Sequence, residues 1–111
     1  MAYNQQQFAD GSVRENVTVA SNVGATGTQN ATTVYGGTYV FSAMASNWNG
    51  ASVQLQALGP DGTTYQNLGS PKTANDATGG TSVTLGSNSV VRVNVTAANP
   101  TGLFATLSRV P

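Results

Sequence analysis

The sequence predicts an all-β domain, a single β-sandwich or jelly roll of about seven to eight antiparallel strands behind an N-terminal arm. Three observations carry this expectation. Thirteen Gly, fifteen Thr and eleven Asn residues are spread among short Val-rich runs, a composition that penalises helices and favours strands parted by turns. Apolar residues alternate with polar ones at period two, the spacing that turns one face of a strand toward a core. Turn-forming groups interrupt these runs at intervals usual for a sandwich or jelly roll. At 111 residues the chain fits one domain, with residues 1–12 expected as the arm and 13–111 as the sandwich.

The first twelve residues are rich in Gln and Asn and carry Tyr3 and Phe8 as large apolar groups. They read either as a frayed terminus or as an arm that a partner surface orders, with Tyr3 and Phe8 as anchors. Residues 13–19 place Val13, Glu15, Val17 and Val19 on one face of a strand, and residues 38–46 do the same with Tyr39, Phe41, Ala43 and Ala45. Val53, Leu55 and Ala57 alternate before Gly59-Pro60-Asp61-Gly62, where Pro presets a turn and Gly accommodates its exit. The strand is expected to return through Thr63 to Leu68. Val83 and Leu85 mark a fifth strand, and Val91, Val93 and Val95 opposite Arg92, Asn94 and Thr96 mark a sixth. Leu103, Ala105 and Leu107 make the seventh, after a turn at Asn99-Pro100-Thr101-Gly102. Residues 20–37 and 70–80, small and polar, read as loops that connect strands.

Val, Leu and Phe total 22 residues and Ile is absent, so the core is thin and association is expected to help folding. The surface is unusual in the other direction. Four Lys or Arg face four Asp or Glu, with no His and no Cys, whereas Ser, Thr, Asn and Gln supply 43 residues. Such a surface offers no imidazole, thiolate or paired carboxylates, so no hydroxyl has an evident activator and an enzyme is not expected. Disulfides and thiolate metal sites are excluded by composition, and the scattered Asp10, Asp61 and Asp76 match no calcium loop, so neither metal nor cofactor is expected. Those three Asp residues sit in Gly- or Thr-rich contexts where Asp serves turns. Gly24-Ala25-Thr26-Gly27 and Gly36-Gly37 lack a P-loop Lys. A balanced charge without a basic cluster points away from nucleic acid, and no apolar run approaches the roughly 18 residues of a membrane helix. The opening Met-Ala-Tyr-Asn-Gln-Gln-Gln has no basic and apolar leader, so export as a precursor is not expected and the three Asn-X-Thr sequons read as accidents of composition.

Two places ask for a particular explanation. Glu15 shares parity with Val13, Val17 and Val19, which turns its carboxylate toward the core. The readings are an inward charge guarding an edge strand, a salt bridge to Arg92 or to a second subunit, and a local bulge. Asn47, Trp48 and Asn49 precede Gly50 on an expected hairpin turn, and Trp48 is the only tryptophan. They form either a sugar-stacking recognition site or an aromatic lid on one end of the sandwich or a subunit contact.

From Gly36 onward the chain carries Gly37-Thr-Tyr-Val-Phe41, Trp48-Asn-Gly-Ala-Ser-Val-Gln-Leu-Gln56 and Leu58-Gly-Pro-Asp-Gly-Thr63, and it closes with Val91-Arg-Val-Asn-Val95 and Asn99-Pro-Thr-Gly-Leu-Phe-Ala-Thr-Leu-Ser-Arg-Val-Pro111. Over about two thirds of its length it resembles small capsid decoration (cement) proteins of tailed bacteriophages; residues 1–35 carry no familiar motif. The resemblance implies a structural virion protein made in the host cytoplasm, which binds the major capsid protein lattice on the capsid exterior, commonly as a homotrimer. The other function the residues allow is a recognition module, either carbohydrate-binding or a head-fibre or tail appendage, with Trp48 on its binding face.

Overall fold

Wherever valine or another apolar residue alternates with polar ones, the chain is extended. The computed structural model describes residues 6–7, 13–76 and 79–110. Its strands are β1 (Gln6–Gln7), β2 (Val13–Arg14), β3 (Asn16–Val23), β4 (Gly27–Thr28), β5 (Thr32–Val34), β6 (Gly37–Met44), β7 (Ser52–Leu58), β8 (Tyr65–Asn67), β9 (Thr81–Leu85), β10 (Ser89–Thr96) and β11 (Leu103–Val110). Among the described residues every regular element is a strand, and no helix is long and apolar enough to cross a membrane.

Nine of these strands form two antiparallel sheets packed face to face. The first runs β3-β11-β6-β9; in the second β10 pairs with β4 and β5 on one side and with β7, then β8, on the other. β4 and β5 act as one interrupted strand along β10, the gap being bridged by the Gln29 amide, which donates to the Val93 carbonyl at 2.8 Å. The chain then changes sheet at every connection except the β7–β8 hairpin, and the two halves of the sequence interleave in each sheet. This is jelly-roll connectivity, the predicted class. Within the expected arm, Gln6–Gln7 pairs antiparallel with Val13–Arg14.

The core is the sum of the alternations. Tyr39 and Phe41 of β6, Val53 and Leu55 of β7, Val91, Val93 and Val95 of β10 and Leu103 and Leu107 of β11 are all buried between the sheets. In the hairpin, Gly62 takes φ 77° and the Asp61 carboxylate accepts the amides of Thr63 (2.9 Å) and Thr64 (2.8 Å), as the Pro-Asp-Gly pattern predicts.

Three expectations are corrected. Residues 20–37, read as a loop, hold the end of β3 and the strands β4 and β5, whose Thr and Gly residues lack an alternating apolar signal because only Val34 is buried. The group at residues 47–50 is a crossover between sheets and not a hairpin, since β6 and β7 lie in different sheets; the turn at 99–102 likewise carries the chain from β10 in one sheet to β11 in the other. Turn residues mark a reversal without specifying which strand comes next to which. The alternation in residues 13–19 also breaks at its end: the β3–β11 register slips between Thr18 and Ala20, so Val19 and Ala20 are consecutive and both buried. A second slip precedes Val23, where Asn22 adopts φ 51°.

Candidate interaction surface

Glu15 lies between β2 and β3, and its backbone carbonyl accepts the Arg109 amide at 2.7 Å, so the carboxylate is held inward at the margin of the first sheet. It is 5% exposed. The Tyr39 hydroxyl, from the neighbouring inward row of β6, donates to Glu15 Oε1 and also faces the Tyr35 carbonyl at 2.8 Å. Burial, followed by the hydrogen bond and negative charge of Glu15, holds the Tyr39 hydroxyl well above the usual phenol range. Glu15 is an inward charge beside the edge strand β3, and the slips in β3 fall downstream of it. Its expected partner Arg92 lies elsewhere, on the outer face of the second sheet. A cleft of about 250 Å³ lined by Glu15, Thr33, Val34, Tyr35 and Asn88 opens here.

Arg92 belongs to a network closed on itself. Its guanidinium carbon sits 3.6 Å from the centroid of the Tyr65 ring, its Nε donates to Gln56 Oε1 at 3.0 Å, and Gln56 Nε2 donates to Asn67 Oδ1 at 3.0 Å. Cross-strand registers Arg92↔Gln56 and Gln56↔Asn67 put these three in one row, which alternation alone cannot reveal. Gln54 of the next row donates to the carbonyls of Leu55, Leu68 and Gly69.

Asn47, Trp48 and Asn49 are brought together at one end of the sandwich with a partner the sequence did not signal. Asn75 Oδ1 accepts both the Trp48 indole N–H at 2.7 Å and the Ala45 amide at 2.8 Å. Trp48 is half-buried and packs against the core, while Asn47 Oδ1 accepts the Asn49 amide and Asn49 Nδ2 donates to the Asn99 carbonyl at 3.0 Å. The next residue, Asp76, accepts the Ala43 amide at 2.8 Å and pairs with Lys72 at 2.7 Å. Burial raises the Asp76 pKa, but the Lys72 ammonium and the Ala43 amide outweigh it and hold the carboxyl below its ordinary range. Lys72 itself bridges to β7 by two 2.8 Å backbone bonds with Val53. Thus residues 72–76 tie the second sheet to the end of β6. Tyr3 and Phe8 lie outside the described residues.

The first sheet presents a different outer surface. Its registers align Phe104–Met44, Thr18–Thr106–Ser42, Asn16–Ser108–Val40–Ser82 and Val110–Thr38–Thr84 in successive rows. None of these residues is charged, and among the described residues none of their side chains makes a hydrogen bond. Phe104 (44%), Met44 (58%) and Val110 (51%) are among the most exposed large apolar side chains. At strand spacings the face measures about 20 by 25 Å, roughly 500 Å². That suffices for one side of a small specific interface, which buries about 1,000 Å² in total. Neither Phe104 nor Met44 was singled out by the sequence, although each falls at the outward parity of a strand whose inward positions were assigned.

Comparison with protein-family models, with curated proteins and with solved structures finds no match to the chain.

Proposed function

We propose that the chain is a structural virion protein, a capsid decoration (cement) protein that attaches to the major capsid protein lattice of a tailed bacteriophage from outside, self-associates there and stabilises the shell. The observation that supports this most is the uncharged outer face of the β3-β11-β6-β9 sheet. Permanent attachment through such a face desolvates no ion, and its free hydroxyls can bond polar groups of a neighbour while Phe104 and Met44 supply apolar contact. The jelly-roll connectivity is compatible with this role, being found in capsid and lectin domains alike, and fold alone does not choose between them. The choice turns on where polar groups are free. At Trp48 the indole N–H and the Asn49 amide are bonded within the chain, whereas a carbohydrate site needs such groups directed outward.

The test adds purified protein to shells that lack it and measures occupancy by cryo-electron microscopy together with the melting temperature of the shell. Saturable occupancy with a raised shell melting temperature, and no glycan binding, is the expected result. Specific glycan binding that Trp48→Ala abolishes, together with no affinity for shells, overturns the reading in favour of the recognition module.

A further inference from the structure

The two sheets have four lateral edges, and three of them are poor templates for another strand. β3 is kinked by its two register slips, β4 and β5 are interrupted, and β8 has three residues. β9 differs. It pairs with β6 in an unbroken register from Gly37↔Leu85 to Phe41↔Thr81, and among the described residues its backbone makes no bond outside that ladder. Gly80 at its start, with φ 101°, lets the chain approach so closely that a Cβ there would meet the Phe41 carbonyl oxygen at 2.6 Å. The strand reads Thr-Ser-Val-Thr-Leu, with no charge and no Pro, so it lacks the common guards of a sheet edge.

We infer that β9 is a self-association edge, where the β9 strands of two copies pair antiparallel about a twofold axis at Val83. Three features select a second copy as the occupant. An antiparallel pair of identical strands is isologous, so one edge supplies both sides of the contact. In the register Val83↔Val83, each Ser82 faces the Thr84 of the other copy on the outer surface, and no like charges meet. The same register keeps Thr81, Val83 and Leu85 of both copies on the core side, as a shift by one residue would not. Beneath the edge, a cleft of about 250 Å³ lined by Phe41, Leu68, Gly69, Ser70, Lys72 and Val83 among others leaves room for the inward side chains of the added strand. Lys72 at its wall is neutralised by Asp76. The product is a sheet continuous across two copies, which also joins their two uncharged outer faces side by side.

The test uses the free protein, so it stands or falls independently of shell attachment. Sedimentation should show reversible, even-numbered association of the wild type. The double variants Ser82→Lys/Thr84→Lys and Ser82→Glu/Thr84→Glu, altered only at outward positions, should each associate at least about tenfold more weakly, because two like-charged pairs meet across the axis. Mixing the two in equal amounts should restore association. A cooperative melting transition shows that a variant remains folded, its midpoint lowered only as weaker association requires, and where one fails to fold, the other taken with the wild type decides. A wild type that stays monomeric up to millimolar concentration, a trimer, or a folded Lys or Glu variant that associates like the wild type overturns the inference.

Discussion

The outer faces of the two sheets are both rich in uncharged polar residues and end in opposite states. On the second sheet Arg92, Gln56, Asn67, Tyr65 and Gln54 bind one another or nearby carbonyls. On the first, none of the outward Thr and Ser side chains of β3, β11, β6 and β9 makes a hydrogen bond among the described residues, and Phe104 and Met44 stand exposed in the row at one end. Long amide side chains reach across a row to their neighbours; Ser and Thr are too short to do so and keep their capacity for something else. An amide-rich composition therefore does not make a uniformly adhesive surface. Side-chain length at outward parity decides which face is closed and which is open.

Placing one carboxylate on each face is the strongest way to break this comparison. Thr106→Asp, in the middle of the first face, should lower affinity for the shell by about 100-fold, because a charge desolvated without a partner costs several kcal/mol. Asn94→Asp, in the middle of the second, should leave affinity within about twofold, as expected of a change outside a contact. Shell-binding titrations of both variants check this, and equal losses would erase the distinction between the faces.

Behind the open face lies the Tyr39–Glu15 pair, and Tyr39→Phe should cost about 1–3 kcal/mol by removing a buried donor from a carboxylate. Urea denaturation measures it. Because the folded state raises the Tyr39 pKa above its ordinary 10.0, the associated stability is fully present below that pH and is lost as pH rises through the folded value. Wild-type stability should fall above about pH 10 more steeply than that of the Phe variant. In acid the sign reverses: Asp61, held down by the Thr64 and Thr63 amides, and Asp76 both have lowered pKa values, so their contributions disappear as pH falls below the ordinary 3.8.

A smaller effect is expected on the closed face. Arg92→Ala should destabilise by about 0.5–1 kcal/mol, the value of an exposed stack of a guanidinium on an aromatic ring, and should not change shell occupancy. Thermal melting and occupancy measured together separate the two. Smallest of all should be the response of attachment to salt. An uncharged face forms no ion pairs to screen, so occupancy should change less than about twofold as ionic strength rises from tens to hundreds of millimolar.

The sequence by itself determined the class of fold, the inward positions of β6, β7, β10 and β11, the Pro-Asp-Gly hairpin and the poverty of titratable groups. Each is a property of a residue and its near neighbours: period-two alternation, a fixed φ, a count. Tertiary structure decided the rest. Glu15 finds Tyr39 across 24 residues, Trp48 finds Asn75 across 27, and the row joining Arg92, Gln56 and Asn67 exists only once three strands are in register. The slips in β3 turned Val19 and Ala20 inward together, and the strands at 27–34 exist because β10 offered them an edge. Outward parity was legible at Phe104 and Met44, but their meeting on one open face was not, because a strand's sequence fixes which way its side chains point and only long-range pairing fixes what lies beside them.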